Sequence, residues 1–231
     1  MNSPSSEKRS HKEHLYELFS QIAAAMANPH RLELLDLLAQ APRTVEELAQ
    51  EAQMSVANTS QHLQRLKQAR LVVSEKEGLY VRYYLADPAV ARLWLQLRTV
   101  AQQQLAEVEC ALDAYRQRRH EFENVSVEEL RTRLQNDEII LLDVRPMVEY
   151  ENGHLPGALS LPLDKLQQTL ASLPDDKTIV AYCRGPYCVI ADDALDILAA
   201  NGRHVARLEE GVLEWQQAGY AASFEPSKLQ N

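Results

Sequence analysis

The stretch "YCRGPYC", residues 182–188, holds two of the chain's three cysteines, Cys183 and Cys188, around Arg184, Gly185, Pro186 and Tyr187. Two thiols at this spacing can form a disulfide, supply half a metal site, or act as a nucleophile with a companion. Apolar "TIVAY" precedes Cys183 and the helical pattern "VIADDALDILAANG" follows Cys188, so the pair sits in a strand-to-helix loop. Such a loop turns backbone N–H groups inward at the positive end of a helix dipole. A thiol there, beside Arg184, is expected to have a depressed pKa and to be largely thiolate at neutral pH. A thiolate facing an anion nest can attack sulfane sulfur and carry it as a persulfide. Cys188 is open to two readings. It is a resolving thiol that closes a disulfide on Cys183, or a small buried residue that opens the next helix. Zinc is not expected, because no second Cys/His pair completes a tetrahedron.

That loop needs a strand before it and a helix after it, and the second half of the chain is built of such units. Ser126 and Glu129 are spaced as a capping box opening a short helix. Strand-like "EIILLDV", "ALSLP", "TIVAY" and "HVARL" then alternate with helical "PMVEYENG", "DKLQQTLASL", "VIADDALDILAANG" and "VLEWQQAGY". Alternation predicts an α/β domain with a largely parallel sheet and sites at the carboxyl ends of its strands. Three segments, "LLDVRPMVEYENGHLPGALSLP", "YCRGPYC" and "LEEGVLEWQQAGY", resemble rhodanese domains, in order, across residues 123–222. The matching positions include Asp143, Arg145, Glu149, His154, Gly211 and Trp215. The resemblance implies a sulfurtransferase-type site with Cys183 as nucleophile and Arg184, Gly185, Pro186, Tyr187 and Cys188 as its loop. The sixth residue after Cys183 is Val189, where the related phosphatases and arsenate reductases need arginine. Pro186 deletes one backbone donor from the nest, and Tyr187 and Cys188 replace the small or basic residues common there. Both departures argue against thiosulfate as an efficient donor. Asp143 and Arg145 are expected to brace the loop, and His154 to hydrogen-bond within its own turn.

The first half differs in kind. "ANPHRLELLDLLAQ" places Asn28 as N-cap and Pro29 at the first helical position, with Leu32, Leu35 and Leu38 at helical spacing. "RTVEELAQEA" pairs Thr44 with Glu47 as a capping box. In "SVANTSQHLQRLKQARLV", Val56, Leu63, Leu66 and Leu71 can face inward while the other face stays polar. Two short capped helices about a tight turn predict a mainly-α helix-turn-helix. "VVSEKEGLYVRYYLAD" adds a hairpin broken at Glu77-Gly78. Between residues 55 and 85 five bases outnumber two acids, which suits a DNA backbone. In order and spacing these segments resemble the ArsR-type winged-helix repressors over roughly residues 14–115. That resemblance implies a homodimer on double-stranded operator DNA, with residues 55–67 as reading helix and 73–85 as wing. The candidate DNA contacts are Ser55, Asn58, Thr59, Gln61, His62, Gln64, Arg65, Lys67, Lys76 and Arg82. Arg70 stands where that family usually has glycine.

From Asp87 onward, Val90, Leu93, Leu97, Val100, Leu105, Val108, Leu112 and Tyr115 recur at helical spacing. About 30 helical residues would span roughly 45 Å, so a partner helix is the natural cover, with a strut between domains as the alternative. The metal-sensing cysteines of the family are absent from "TVEELAQ", and its persulfide-sensing pair from "HRLELLDLLAQ". Cys110 with Glu107 and Glu109 is not a soft-metal set, so Cys110 is read as a passive helical residue and no metal or cofactor is expected.

The chain's 231 residues allow two domains, drawn at 14–120 and 123–222, with polar tails at 1–13 and 223–231. Its net charge of −9 lies wholly in the second half, where 18 acids face 9 bases; the first half balances 15 against 15. DNA contact therefore belongs to the first half. No apolar run is long enough to span a membrane, the N-terminus lacks a secretory core, and three cysteines do not make a disulfide framework. A soluble cytoplasmic protein is expected. The leading expectation is a repressor whose rhodanese domain senses or transfers sulfane sulfur from a small donor. One alternative is a sulfurtransferase merely localised or dimerised by its winged helix; another is a metalloid-responsive repressor using Cys183, Cys188 and Cys110.

Overall fold

Asn28 separates two helices. Its side-chain oxygen accepts the Arg31 N–H at 3.2 Å, and Pro29 takes the first helical position, where a missing N–H is harmless. In the computed structural model, which describes residues 4–116 and 121–224, this junction joins α1 (Pro4–Met26) to α2 (Pro29–Gln40). The segment expected as a polar tail is thus helical from residue 4. Beyond β1 (Arg43–Thr44), α3 (Val45–Glu51) starts at the Thr44–Glu47 capping box, both halves of which form. Ser55 caps α4 (Val56–Gln68) by accepting the Asn58 N–H. β2 (Val72–Glu77) and β3 (Tyr80–Leu85) form the expected hairpin, and β1 joins its β3 edge, all antiparallel.

Leu34, Leu35, Leu38, Leu48, Leu63, Leu66 and Leu71 close the core of this winged helix-turn-helix domain. Val56, expected to face inward, is exposed at the first turn of α4. Arg70 adopts φ +59 just past α4. The Leu71 N–H reaches Leu66 O and the Arg70 N–H reaches Lys67 O, the paired bonds of a Schellman close. Among the described residues, Gln53 and Asp137 also have positive φ without being glycine, and the same paired bonds close the helices before them.

The long helix predicted beyond Asp87 is two. α5 (Pro88–Gln104) and α6 (Ala106–Tyr115) are separated by Leu105, whose backbone is extended at φ −116, ψ 99. Residues 117–120 of that prediction lie outside the described residues. The chain divides into compact units at residues 1–99 and 100–231, so α6 goes with the second unit and not, as expected, with the first. In the first unit α5 is held by buried Val90 and Leu95 and by Trp94, whose indole N–H donates to Asp36 at 2.6 Å.

The second unit is α/β. β4 (Glu123–Asn124), β5 (Ile139–Asp143), β6 (Leu159–Ser160), β7 (Thr178–Tyr182) and β8 (Val205–Arg207) form one sheet in the order β4-β8-β7-β5-β6, every pairing parallel. Helices α7 (Val127–Gln135), α8 (Met147–Asn152), α9 (Leu163–Thr169), α10 (Ile190–Ala200) and α11 (Val212–Gln217) connect the strands. Ser126 caps α7 by accepting the Glu129 N–H. Successive residues of a strand face opposite sides, and two cores result. Val180 and Tyr182 join one with α7 and α11, while Ile179, Ala181 and Cys183 join the other with α9 and α10. Strand period alone therefore delivers Cys183 to the N-terminus of α10. Among the described residues no helix is long and apolar enough to cross a membrane.

Candidate functional site

Cys183 and Cys188 do come together. Both are buried, at 1% and 9% exposure, in the core beneath α10. The Cys183 thiol faces three acceptors, the Cys188 carbonyl oxygen at 3.4 Å, the Gly185 carbonyl oxygen at 4.0 Å and the Cys188 sulfur. Gly185, at φ +118, makes the turn between them, and its carbonyl accepts the Cys188 N–H at 3.2 Å. A Cβ on Gly211 would lie 2.8 Å from the Cys183 carbonyl oxygen and from the Arg184 carbonyl carbon, so only glycine lets the 208–211 turn pack against the loop.

The lowered thiol is the other one than expected. Burial pushes the Cys183 thiol well up, and its hydrogen bond to Cys188 pushes it further. The same bond brings Cys188 down to about 7, against its own burial, helped by the backbone N–H groups of Arg184 and Ile190. Two thiols in contact cannot both ionise cheaply, so the pair carries at most one negative charge, which these contacts favour on Cys188. Arg184 is not beside Cys183 as a counter-ion. Its guanidinium binds the buried Glu149 carboxylate at 2.6 and 2.9 Å and acts on Cys188 only as a weaker field.

Asp143 and Arg145, expected to brace the loop, lie on the opposite face of the sheet from Cys183. Arg145 pairs with Asp143 at 2.6 Å and donates to Gly153 O at 2.8 Å. The Tyr182 hydroxyl donates to Asp143 at 2.6 Å and accepts the Leu155 N–H at 3.0 Å. The link from this pair to the loop thus runs through Tyr182, the residue before Cys183. His154 lies 3.0 Å from Tyr150 O and stacks on the Tyr150 ring at 3.7 Å, a local structural role as expected.

Three residues that the sequence reading passed over complete the site. Arg207 donates to Cys188 O at 3.1 Å and to Asp192. Arg116 donates to Asp192 at 2.9 and 3.3 Å, to Glu209 at 3.2 Å and to Pro186 O at 3.3 Å. An arginine inside the buried strand "HVARL" and an aspartate on the apolar face of "VIADDALDIL" were legible signals. Arg116, in the basic run "YRQRR", carries no such signal. Cys110 is exposed on α6. Among the described residues no three His, Cys, Asp or Glu side chains gather where they could hold a metal ion.

In the first unit the candidate DNA contacts divide. Thr59 is fully buried and its hydroxyl donates to Ser55 O, so it leaves the candidate surface. Ser55 is occupied by its cap and Asn58 Nδ2 by Met54 Sδ at 3.8 Å. Lys67 donates to Ser74 at 2.6 Å, and Arg82 is tied to Glu77 at 2.9 Å and to Pro42 O at 3.2 Å. The His62 ring lies 5.4 Å from that of His30, tilted 44° to it, and burial with the neighbouring His30 and Arg31 charges lowers its pKa. Gln64 reaches Tyr83 at 3.4 Å. Gln61, Arg65 and Lys76 remain exposed.

Comparison with known proteins identifies both halves. Residues 126–218 match the rhodanese-like domain, and residues 28–74 match the bacterial regulatory proteins of the arsR family. The HTH-type transcriptional regulator Rv0324 of Mycobacterium tuberculosis is 42% identical over 205 residues, covering 89% of this chain and 90% of that one. A sulfurtransferase of Allochromatium vinosum is 30% identical over 96 residues, covering 41% of this chain and 89% of that protein. The solution structure of a homodimeric winged helix-turn-helix domain from Mycobacterium bovis is 36% identical, covering 46% of this chain and 94% of that one, with a TM-score of 0.40.

Proposed function

Because the chain belongs to the family of ArsR-type transcriptional regulators that carry a rhodanese domain, we propose that it is a repressor switched by sulfane sulfur at Cys183 and Cys188. The observation that carries this reading is the buried thiol pair in the loop before α10, in which Cys183 donates to Cys188 and holds its thiol below the ordinary value. The donor is an organic persulfide, RS–SH, or inorganic polysulfide. Cys183 passes its proton to the Cys188 thiolate and attacks the terminal sulfur. A Cys183–SSH bond forms, the RS–SH bond breaks, and RS⁻ leaves. RS⁻ takes the proton from Cys188 and departs as RSH. Cys188 then attacks the Cys183 sulfur, the disulfide forms and HS⁻ leaves. Two thiols have lost two electrons, and the sulfane sulfur has gained them as sulfide.

DNA would meet α4 and the β2–β3 wing, through Gln61, Arg65 and Lys76 first. Dimerisation would cover the apolar faces left open on α5, where Leu93, Leu97 and Val100 are 43%, 41% and 53% exposed. The likeness to a sulfurtransferase over the second half favours one other reading, a transferase that the winged helix only localises. Fluorescence anisotropy on the protein's own upstream DNA at fixed salt separates them. Polysulfide should release the reduced protein from DNA, a reductant should restore binding, and Cys183→Ser should abolish the response. Tight binding indifferent to polysulfide, together with brisk turnover of thiosulfate or mercaptopyruvate, would leave the transferase.

A further inference from the structure

The thiol loop is held at two carbonyls by two arginines that share one carboxylate. Arg207 holds Cys188 O, Arg116 holds Pro186 O, and both bind Asp192 in the first turn of α10. The Arg116 side chain is completely buried, with Glu209 as its second anion. A buried guanidinium with a carboxylate on each of two sides and a carbonyl on a third has no room to re-aim. Yet Arg116 belongs neither to the sheet nor to its helices. It is the C-cap of α6, its own N–H donating to Leu112 O at 2.8 Å, and α6 leads back through Leu105 to α5. The thiol chemistry of the Cys183–Cys188 loop needs no anchor from outside the α/β fold.

We propose that Arg116 is the positioning residue of the dithiol loop and the group through which the loop's chemical state reaches the helix that precedes the α/β fold. This rests on the reading of Cys183 and Cys188 as the sulfur-responsive pair. Loading Cys183 removes the proton that its thiol offers to Cys188 O and adds a sulfur atom to the close-packed core that buries it. Closing the disulfide draws the two sulfurs to about 2.05 Å. Either change moves the 186–188 carbonyls. The guanidinium that holds Pro186 O must then shift or release, and the cap of α6 shifts with it.

Hydrogen exchange on the full-length chain tests this, reduced against tetrasulfide-treated, with intact mass reporting the modification. Methyl methanethiosulfonate provides a second loading. The thiolate displaces methanesulfinate and keeps a methylthio group, so the loop is modified even in a chain that takes up no polysulfide. The Arg116 amide, read in a peptide over residues 106–116, should exchange about tenfold faster once the loop is loaded, with residues 127–135 unchanged. Unchanged exchange at 106–116 on a loaded protein overturns the inference, whatever DNA affinity does. Faster exchange with DNA affinity unmoved would sink the repressor reading and leave the inference standing. As a second arm, Arg116→Gln should move the pH midpoint of Cys188 alkylation up from about 7, and Arg116→Lys should restore part of the shift. A folded Gln variant with the midpoint in place would show that Arg116 only stabilises the domain. The exchange arm stands even if that variant does not fold.

Discussion

A thiol's charge follows from what its sulfur faces, and the two cysteines face different things. Cys183 donates and Cys188 accepts, from Cys183 and from the amides of Arg184 and Ile190. Cys188 lies below its ordinary value, so its thiolate fills as pH rises through about 7 and empties as pH falls. Iodoacetamide should therefore label Cys188 before Cys183, with a rate that climbs with pH and is half-maximal near 7. Cys183→Ala, which removes the largest cause, should carry that midpoint upward; peptide mass mapping over a pH series reads both. Labelling of Cys183 first would reverse the assignment. The sequence made both cysteines and their loop legible, through two apolar segments and a glycine. It could not tell which sulfur is charged. Arg184 is next to Cys183 along the chain, but its guanidinium goes to Glu149, 35 positions earlier.

At the scale of elements, local chemistry sufficed wherever a residue acts on its own helix. The caps at Asn28, Thr44, Ser55 and Ser126 form as their spacing requires. Arg70 is a harder case, because closing α4 in a Schellman turn puts an L-residue at φ +59. Arg70→Gly should stabilise the first unit by about 1 kcal/mol, since glycine carries no Cβ penalty there. A rise in the urea midpoint at constant m-value checks it, and a fall would mean that the Arg70 side chain has contacts outweighing the strain. The break at Leu105 had no such signal. Neither glycine nor proline marks it, and the apolar repeat runs straight through.

For the whole molecule, α5 leaves Leu93, Leu97 and Val100 open to solvent, and a contiguous exposed apolar face marks a contact surface. If two copies meet there, Leu97→Glu should give monomers by analytical ultracentrifugation. It should also weaken operator binding about a hundredfold or more, as each half-site loses the avidity of the pair. Dimers with unchanged affinity would move the interface elsewhere. Charge is divided on the same scale. The acidic excess belongs to the second half of the chain, which leaves DNA to the first.

The sequence by itself determined two unlike domains, the helix-turn-helix with its hairpin, the parallel α/β order, and the dithiol loop at a strand's carboxyl end. Each follows from periodicities and caps that act within a few residues. Tertiary structure alone decided where charge goes in the buried site. It lowers the Cys188 thiol and raises that of Cys183, and it puts Arg184 on Glu149, Thr59 in the core, and Arg116 beneath a loop 70 residues away. Those outcomes depend on which groups lose water together, and desolvation is a property of the packed fold and not of any stretch of chain.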